Sequence, residues 1–195
     1  MKLKDALKEK GNPLEIDCSR RELPELFKQL GFKTGVEIGV QKGNHLKLYC
    51  DAGFRMYGVD PYKNEFKPKF DAGHENNFQI ASEMVSHYPN ATLIREKSMD
   101  ALKHFKKRSL DFVYIDGGHN FMDIAEDLNY WTDKVRGGGI IAGHDYENDA
   151  GGETRHHRSV GPVVRAFCES KDIYNWYVLG RGYKENMSFF FVKHW

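Results

Sequence analysis

Two short polar runs carry most of the side chains in this 195-residue sequence that are capable of chemistry. Each follows an apolar stretch typical of a buried β-strand: Asp116 and His119 follow the first, His144 and Asp145 the second. Neighbouring parallel strands end about 4.8 Å apart at one sheet edge, so these side chains are expected to converge. Two carboxylates there suit a divalent metal, and an imidazole suits a general base for a hydroxyl. The alternative is that the aspartates cap turns and the histidines are exposed in loops.

A glycine-rich turn is the second candidate site. Glu37, Gly39 and Gly43 span the end of a strand and the start of a helix, and Asp60 ends the next strand. Glycines allow the backbone to approach a nucleotide-like ligand, and an acid after the second strand can accept hydrogen bonds from ribose hydroxyls. The spacing is not the Gly-x-Gly-x-x-Gly of dinucleotide sites, which disfavours a hydride-transfer cofactor. A plain tight turn with a surface aspartate is the alternative.

Strand patterns alternate with helical patterns along the chain, which predicts parallel βαβ units. Strands are expected at residues 36–38, 56–59, 92–94, 110–115, 139–142, 176–179 and 189–192. Helices are expected at residues 22–30, 44–52, 75–87, 100–107, 121–135 and 163–169. Asn120 should cap the helix at 121–135, and the glycines at 137–139 should end it. The last two strands have no helix between them and should form an antiparallel hairpin at a sheet edge. The pattern thus predicts an α/β fold with a seven-stranded, mostly parallel sheet whose last strand is antiparallel.

The composition excludes several classes of protein. With 29 basic and 28 acidic residues, the net charge of +1 argues against nucleic-acid or anionic-membrane partners. No apolar run reaches the length of a membrane span, and the amino terminus lacks the apolar stretch of a signal peptide, so a cytoplasmic location is expected. The odd set of Cys18, Cys50 and Cys168 lies in no Cys/His pattern, which disfavours a disulfide framework or a structural zinc site.

The length predicts a single domain over residues 1–195. Residues 1–34 are expected to form an amino-terminal helical extension, which would cover the site or mediate a homo-oligomer. Residues 147–159 are expected to form a substrate loop. Its His156 and His157, flanked by arginines, suit a phosphate, sulfate or acidic sugar, although a solvated loop is equally consistent.

On these motifs, the chain resembles class I S-adenosylmethionine-dependent methyltransferases over nearly its whole length. The resemblance implies a Rossmann-like three-layer sandwich. It also implies that Glu37, Gly39 and Gly43 hold the methionine part of the cofactor and that Asp60 holds the ribose.

A third segment matches the family's adenine-binding region. The resemblance implies that Ser98 and Met99 lie beside the adenine ring and that Asp116 also borders the cofactor. Ser98 also stands where a helix N-cap is common, so this match is the weaker one.

The two polar runs look most like small metal-dependent O-methyltransferases that act on sugars in macrolide biosynthesis, with a more distant likeness to catechol O-methyltransferase. The resemblance implies that Asp116 and Asp145 bind a divalent metal, with Mg²⁺ expected, and that His119 deprotonates the acceptor. His144 stands where a carboxylate is expected. Imidazole suits Zn, Mn or Fe better, so either the metal differs or His144 lies outside direct coordination.

The expected function is metal-assisted O-methylation of a hydroxyl on a sugar, glycoside or phenol. Three alternatives remain: a metal-independent methyltransferase, a non-catalytic cofactor-binding protein of the same fold, and a metal-assisted hydroxylase-like enzyme. Chelator sensitivity, turnover with a panel of acceptors, and oxygen consumption distinguish them.

Overall fold

The computed structural model describes residues 3–63, 71–146, 159–180 and 187–195. Eight strands form one sheet in the order β1-β7-β8-β6-β5-β2-β3-β4. The strands are β1 (Leu14–Ile16), β2 (Thr34–Ile38), β3 (Arg55–Val59), β4 (Ala91–Ile94), β5 (Leu110–Ile115), β6 (Val135–Gly143), β7 (Trp176–Leu179) and β8 (Ser188–Val192). The helices are α1 (Leu3–Ala6), α2 (Leu23–Gln29), α3 (Asn44–Asp51), α4 (Asp71–Ser86), α5 (Ser98–Ala101), α6 (Phe121–Lys134) and α7 (Val160–Ser170).

The strand directions confirm a mostly parallel sheet with an antiparallel last strand. β8 runs antiparallel to both of its neighbours, β6 and β7. All other adjacent pairs are parallel. This arrangement brings the ends of β2, β3, β5 and β6 to one edge, where the predicted site residues lie.

The expected count of seven strands was wrong, because β1 is an eighth. β1 pairs in parallel with β7, from Leu14 opposite Tyr177 to Ile16 opposite Leu179. The β7–β8 hairpin therefore lies one strand inside the edge. β1 has only three residues, and the middle one is a glutamate, so the sequence contains no apolar run that would predict a strand there. Residues 1–34 thus supply a strand as well as helices, and a single domain stays a prediction.

The predicted boundary between α6 and β6 was also wrong. The helix ends at Lys134 and the strand begins at the next residue, so the glycines at 137–139 lie inside β6. The strand is irregular at these glycines. Gly138 adopts a left-handed conformation with φ 76°, and its amide donates to the Lys193 carbonyl at 2.7 Å. The predicted N-cap is confirmed, since the Asn120 side chain accepts from the Asp123 amide. The helix expected at 100–107 is the shorter α5 followed by a 3₁₀ turn, Leu102–His104.

Two apolar cores, one on each face of the sheet, confirm the three-layer arrangement. Along β5, Phe112 and Tyr114 join the core of α1 to α4, whereas Val113 and Ile115 join the core of α5 to α7. The alternation follows from the two-residue period of a strand. The three cysteines are buried and unpaired with one another. Among the described residues, no helix combines the length and hydropathy needed to cross a membrane.

A buried lysine closes the end of α6. Lys193 is 2% exposed, and its Nζ donates to the carbonyls of Thr132 and Val135, both at 2.9 Å. We expect Lys193→Met to lower the free energy of unfolding by about 1–3 kcal/mol, because both buried carbonyls lose their donor. Urea denaturation measures the change, with the exposed Lys106→Met as control. Equal stability of the two variants would contradict this role.

Candidate active site

The register of the sheet places Asp116 beside His144. Ile115 of β5 pairs with Ile38 of β2 on one side and with Gly143 of β6 on the other. Both polar residues follow directly: the Asp116 amide donates to the Ile38 carbonyl at 2.8 Å, and the His144 amide to the Ile115 carbonyl at 3.0 Å. The two predicted polar runs therefore meet at one edge of the sheet.

Asp145 completes a group of three side chains, here called the metal cluster: Asp116, His144 and Asp145. One donor atom from each lies within 4.8 Å of the others. His144 Nδ1 is 3.2 Å from Asp145 Oδ1 and 3.6 Å from Asp116 Oδ1. Asp145 is 4% exposed and has φ 54°, a left-handed conformation that is uncommon outside glycine and clusters at functional sites. Two carboxylates and an imidazole fit a divalent cation, and the imidazole suits Mn, Fe or Zn better than Mg.

The charges within the metal cluster are coupled. Burial alone would lower the pKa of His144, but its hydrogen bonds with Asp116 and Asp145 raise it to about 9. A protonated imidazole between two carboxylates thus offsets part of their negative charge in the metal-free protein. A bound cation would take over that balancing charge.

His119 reaches the same place from the turn before α6. Its Nε2 lies 2.8 Å from Asp145 Oδ2, and its side chain is partly exposed. The hydrogen bond with Asp145 raises the pKa of His119 above its ordinary value, against the effect of burial. The structure therefore brings together all four residues of the two polar runs; their roles stay predictions.

Arg20 is a further site residue that sequence reasoning missed. Its Nη1 lies 3.3 Å from Asp116 Oδ2 and 3.4 Å from the Tyr114 hydroxyl. Arg20 belongs to a 3₁₀ turn that a capping box between Ser19 and Glu22 fixes. No pattern in the sequence indicates this contact, which joins residues far apart in the chain.

The glycine turn lies against the metal cluster. Gly39 has φ 85°, and a Cβ there would collide with the carbonyl oxygen of Asp116, so only glycine fits. Gly43, with φ 81°, precedes α3 as its N-cap residue. The backbone at Gly39 therefore packs directly against the backbone of Asp116.

Asp60 closes the same turn. Its Oδ2 accepts from the amides of Val40 and Gln41 at 3.0 and 2.9 Å, and its Oδ1 accepts from the Tyr62 amide at 2.7 Å. Each carboxylate oxygen can accept more than one hydrogen bond. Asp60 therefore shapes the loop that its predicted ligand would contact.

Glu37 is almost fully buried beneath the glycine turn, at 1% exposure. Its Oε1 lies 2.8 Å from His45 Nδ1, a contact that sequence reasoning missed. Its Oε2 is buried with no hydrogen-bond partner in the part of the chain described. Burial, and then the charge of Asp116, raise the pKa of Glu37 well above its usual value. An acceptor of this kind fits a ligand that brings its own N–H donors.

Ser98 and Met99 lie at the start of α5. Ser98 Oγ donates to Asp127 Oδ1 and accepts from Trp131 Nε1 at 2.7 Å, while Met99 packs partly buried against the α6 side of the core. Sequence reasoning missed Asp127. The available signal was an acidic residue inside the apolar stripe of α6, between Ile124 and Trp131.

A cleft of about 460 Å³ opens beyond the ends of β3 and β4. Its lining comprises Pro61, Tyr62, Lys63, Ala72, Glu75 and Arg95. It begins directly after Asp60 and lies on the side where the ribose and adenine are predicted. The predicted substrate loop at 147–159, with His156 and His157, lies outside the described residues except for its last residue.

Comparison with known proteins adds a family and a fold. Residues 36–146 match a family model described as a methyltransferase domain. A curated protein of Sinorhizobium fredii (strain NBRC 101917 / NGR234), described as "Uncharacterized protein y4gI", is 23% identical over 118 residues. The match covers 57% of this chain but only 13% of that protein.

Solved structures of O-methyltransferases share the fold, and two of them serve as examples. The O-methyltransferase TomG of Streptomyces achromogenes, involved in Tomaymycin synthesis and bound to SAM, has a TM-score of 0.65 at 14% identity, over 89% of this chain and 78% of that chain. An O-methyltransferase of Bacillus cereus in complex with SAH has a TM-score of 0.64 at 15% identity, over 91% and 83%. At these identities the likeness concerns the fold.

Proposed function

Because the chain belongs to the methyltransferase-domain family, we propose that it is an S-adenosylmethionine-dependent O-methyltransferase that uses a divalent metal to hold a hydroxyl-bearing small molecule. One observation carries the proposal. The metal cluster and His119 lie at the same sheet edge as the glycine turn, with Gly39 in contact range of the Asp116 backbone. Groups suited to binding a cofactor, holding an oxygen and removing a proton are thus adjacent.

The residues present fit the cofactor. Glu37 Oε2 is a buried acceptor suited to the amino group of the methionine part. Asp60, whose two oxygens already accept from backbone amides, would accept from the ribose hydroxyls with its remaining lone pairs. The bound cofactor supplies a methyl group on a sulfonium, which leaves positioning and electrostatics to the protein. Gly39, with φ 85°, lets the backbone of the turn come close to the backbone of Asp116, and Gly43, with φ 81°, lets the turn enter α3 close to the Met84 side chain.

The residues of the metal cluster also fit their group. The cation would be held by Asp116, Asp145 and His144. Arg20 would form an ion pair with Oδ2 of Asp116, which leaves Oδ1 for the cation. A bound cation supplies a positive charge that fixes the acceptor oxygen and lowers its pKa. The burial of Asp145 and His144 limits access of water and strengthens these interactions.

His119 is the proposed base. Since its Nε2 faces Asp145 Oδ2, the neutral tautomer carries its lone pair on Nδ1, which would take the hydroxyl proton. Asp145 then stabilises the imidazolium that forms. Methyl transfer would form an oxygen–carbon bond as the sulfur–methyl bond breaks, and would give a methyl ether and S-adenosylhomocysteine with the hydroxyl proton held on His119.

The acceptor is proposed to be a sugar, glycoside or phenol with an apolar portion. Phe121 and Met122, at the first turn of α6 next to His119, are 61% and 57% exposed. Large apolar side chains exposed beside a polar site are typical of a ligand-binding surface. They would contact the apolar part while the hydroxyl points to the metal cluster.

Binding of S-adenosylhomocysteine tests the proposal. We expect calorimetry to give a dissociation constant on the order of micromolar, and the melting temperature to rise with ligand because only the folded state binds it. NAD is the negative control. Asp60→Asn should weaken binding about 10- to 100-fold through the loss of charge-assisted hydrogen bonds. Heat with NAD but not with S-adenosylhomocysteine would refute the proposal.

Turnover separates two of the alternatives from the proposal. Transfer of labelled methyl groups to a panel of sugars, macrolide glycosides and phenols is expected to require a divalent cation. Binding without turnover across the panel would support a non-catalytic cofactor-binding protein. Activity that survives chelation would support a metal-independent methyltransferase.

A further inference from the structure

We propose that Arg20 gives the metal cluster selectivity against Ca²⁺, because it holds one oxygen of Asp116 and so limits that carboxylate to one bond with the cation. This inference rests on the proposed function, which takes the metal cluster to bind a divalent cation. Arg20 lies outside residues 36–146, the part of the chain that matches the methyltransferase-domain family. The family match therefore assigns it no role.

The two carboxylates of the metal cluster divide their oxygens in the same way. Asp116 Oδ1 lies 3.6 Å from His144 Nδ1, whereas its Oδ2 accepts from Arg20 Nη1 at 3.3 Å. Asp145 Oδ1 lies 3.2 Å from His144 Nδ1, whereas its Oδ2 lies 2.8 Å from His119 Nε2. Each carboxylate thus turns one oxygen toward His144 and the other toward a nitrogen outside the metal cluster.

The position of Arg20 is fixed by its own turn and by the sheet. Arg20 begins the 3₁₀ turn that the capping box stabilises. Its Nη1 also donates to the Tyr114 hydroxyl at 3.4 Å, and this hydroxyl lies 3.2 Å from Ser188 Oγ of β8. Tyr114 and Ser188 are buried, and the Arg20 side chain is only 22% exposed. The contact with Asp116 is therefore made by a guanidinium whose buried neighbours determine its place.

The number of carboxylate oxygens within reach separates Ca²⁺ from smaller cations. Ca²⁺ takes about six to eight oxygen ligands and often both oxygens of one carboxylate, whereas Mg²⁺ and Mn²⁺ favour an octahedral arrangement. A carboxylate whose second oxygen is paired with a guanidinium can still serve a smaller cation through its first oxygen. Ca²⁺ loses a ligand that the unpaired carboxylate would give it. The contact with Arg20 therefore weakens the binding of Ca²⁺ more than that of Mn²⁺.

The positive charge of Arg20 acts on all divalent cations alike. A guanidinium 3.3 Å from a ligand carboxylate repels Mn²⁺ and Ca²⁺ to a similar extent, because both ions carry two charges. The ratio of the two affinities therefore separates the effect of the contact from the effect of the charge.

Calorimetric titration of the metal-free protein with Mn²⁺, and separately with Ca²⁺, tests the inference. We expect the wild-type protein to bind Mn²⁺ more tightly. Arg20→Met keeps much of the side-chain length but removes the N–H donors, and it should raise the affinity for Ca²⁺ relative to Mn²⁺ by about 10-fold or more. Arg21→Met is the matched control, because Arg21 is an exposed residue of the same turn. It removes the same charge and should keep the wild-type ratio.

Infrared difference spectra measure the coordination directly. The two stretching bands of a carboxylate lie closer together when both of its oxygens bind a cation than when one does. With Ca²⁺, the wild-type protein should show the bands of one-oxygen coordination, and Arg20→Met should add the bands of two-oxygen coordination. With Mn²⁺, both proteins should show one-oxygen coordination.

The outcomes separate this inference from the proposed function. Equal wild-type affinity for Mn²⁺ and Ca²⁺, or an unchanged ratio in Arg20→Met, overturns the role of Arg20 and leaves the methyltransferase proposal intact. If the wild-type protein binds neither ion, the proposed metal site fails together with this inference. If Arg20→Met does not fold, the wild-type spectrum decides, and two-oxygen coordination of Ca²⁺ there overturns the inference.

Discussion

Asp145→Asn is expected to lower the affinity for a divalent cation by about 100-fold or more, while the affinity for S-adenosylhomocysteine changes by less than about threefold. The substitution keeps the shape of the side chain but removes a negative charge that lies almost fully buried beside His144. Cation affinity falls because a carboxylate oxygen is a far stronger ligand for a hard cation than an amide oxygen in the same place. Cofactor affinity is retained because Glu37 and Asp60 lie at the ends of other strands.

Calorimetric titration of the metal-free protein with Mn²⁺, and separately with Mg²⁺, measures the loss directly and needs no knowledge of the acceptor. Asp100→Asn is a suitable control, since Asp100 is an exposed carboxylate of α5. Tighter binding of Mn²⁺ than of Mg²⁺ is expected, because His144 contributes an imidazole. If Asp145→Asn binds Mn²⁺ as the wild-type protein does, the three side chains are not a metal site.

His119→Ala is expected to slow methyl transfer by about 10²- to 10⁴-fold, the usual contribution of a positioned acid–base group. Cation and cofactor affinities should stay near wild-type values, since His119 contacts Asp145 through Oδ2, whereas His144 contacts it through Oδ1. Single-turnover transfer to the best acceptor of the panel isolates the chemical step. His104→Ala, at an exposed histidine in the 3₁₀ turn after α5, controls for a general effect of losing an imidazole.

Retention of full turnover in His119→Ala would show that another group takes the proton. His144, or His156 and His157 of the predicted substrate loop, would then be the candidates. A loss of cation affinity in the same variant would instead indicate that His119 is a ligand or a support for one.

Much of the candidate site follows from strand ends that the sequence makes visible. β5 and the apolar end of β6 are continuous buried runs, and each is followed at once by polar residues. The physical rule that parallel strands end at one edge was enough to bring Asp116 and Asp145 together. The rule did not identify His144 as the direct neighbour of Asp116, because that depends on the pairing of Ile115 with Gly143.

The site residues that the sequence did not predict depend on contacts between segments far apart in the chain or on single polar residues in apolar helix faces. Arg20 comes from a segment whose place is fixed by pairing with β7, more than a hundred residues away, and no local pattern encodes such a contact. Asp127 and His45 lie on helix faces whose other residues are mostly apolar. The apolar pattern predicts that these faces are buried but does not predict the hydrogen-bond partner of either side chain. A buried polar residue in an apolar stripe is the signal that a sequence offers for such sites.

The sheet order has a consequence for how the chain folds. Among the described strands, β1 is bonded to β7 alone, and β7 is joined to the rest of the sheet through β8, the last of these strands in sequence. Contacts this far apart along the chain are slow to form, because the long intervening loop must first be closed. We therefore expect the glycine turn and the metal cluster to assemble early, from β2 to β6. The contact between Arg20 and Asp116 should form after β1 has paired with β7 and β7 with β8. We therefore expect it to be the last contact of the site to form.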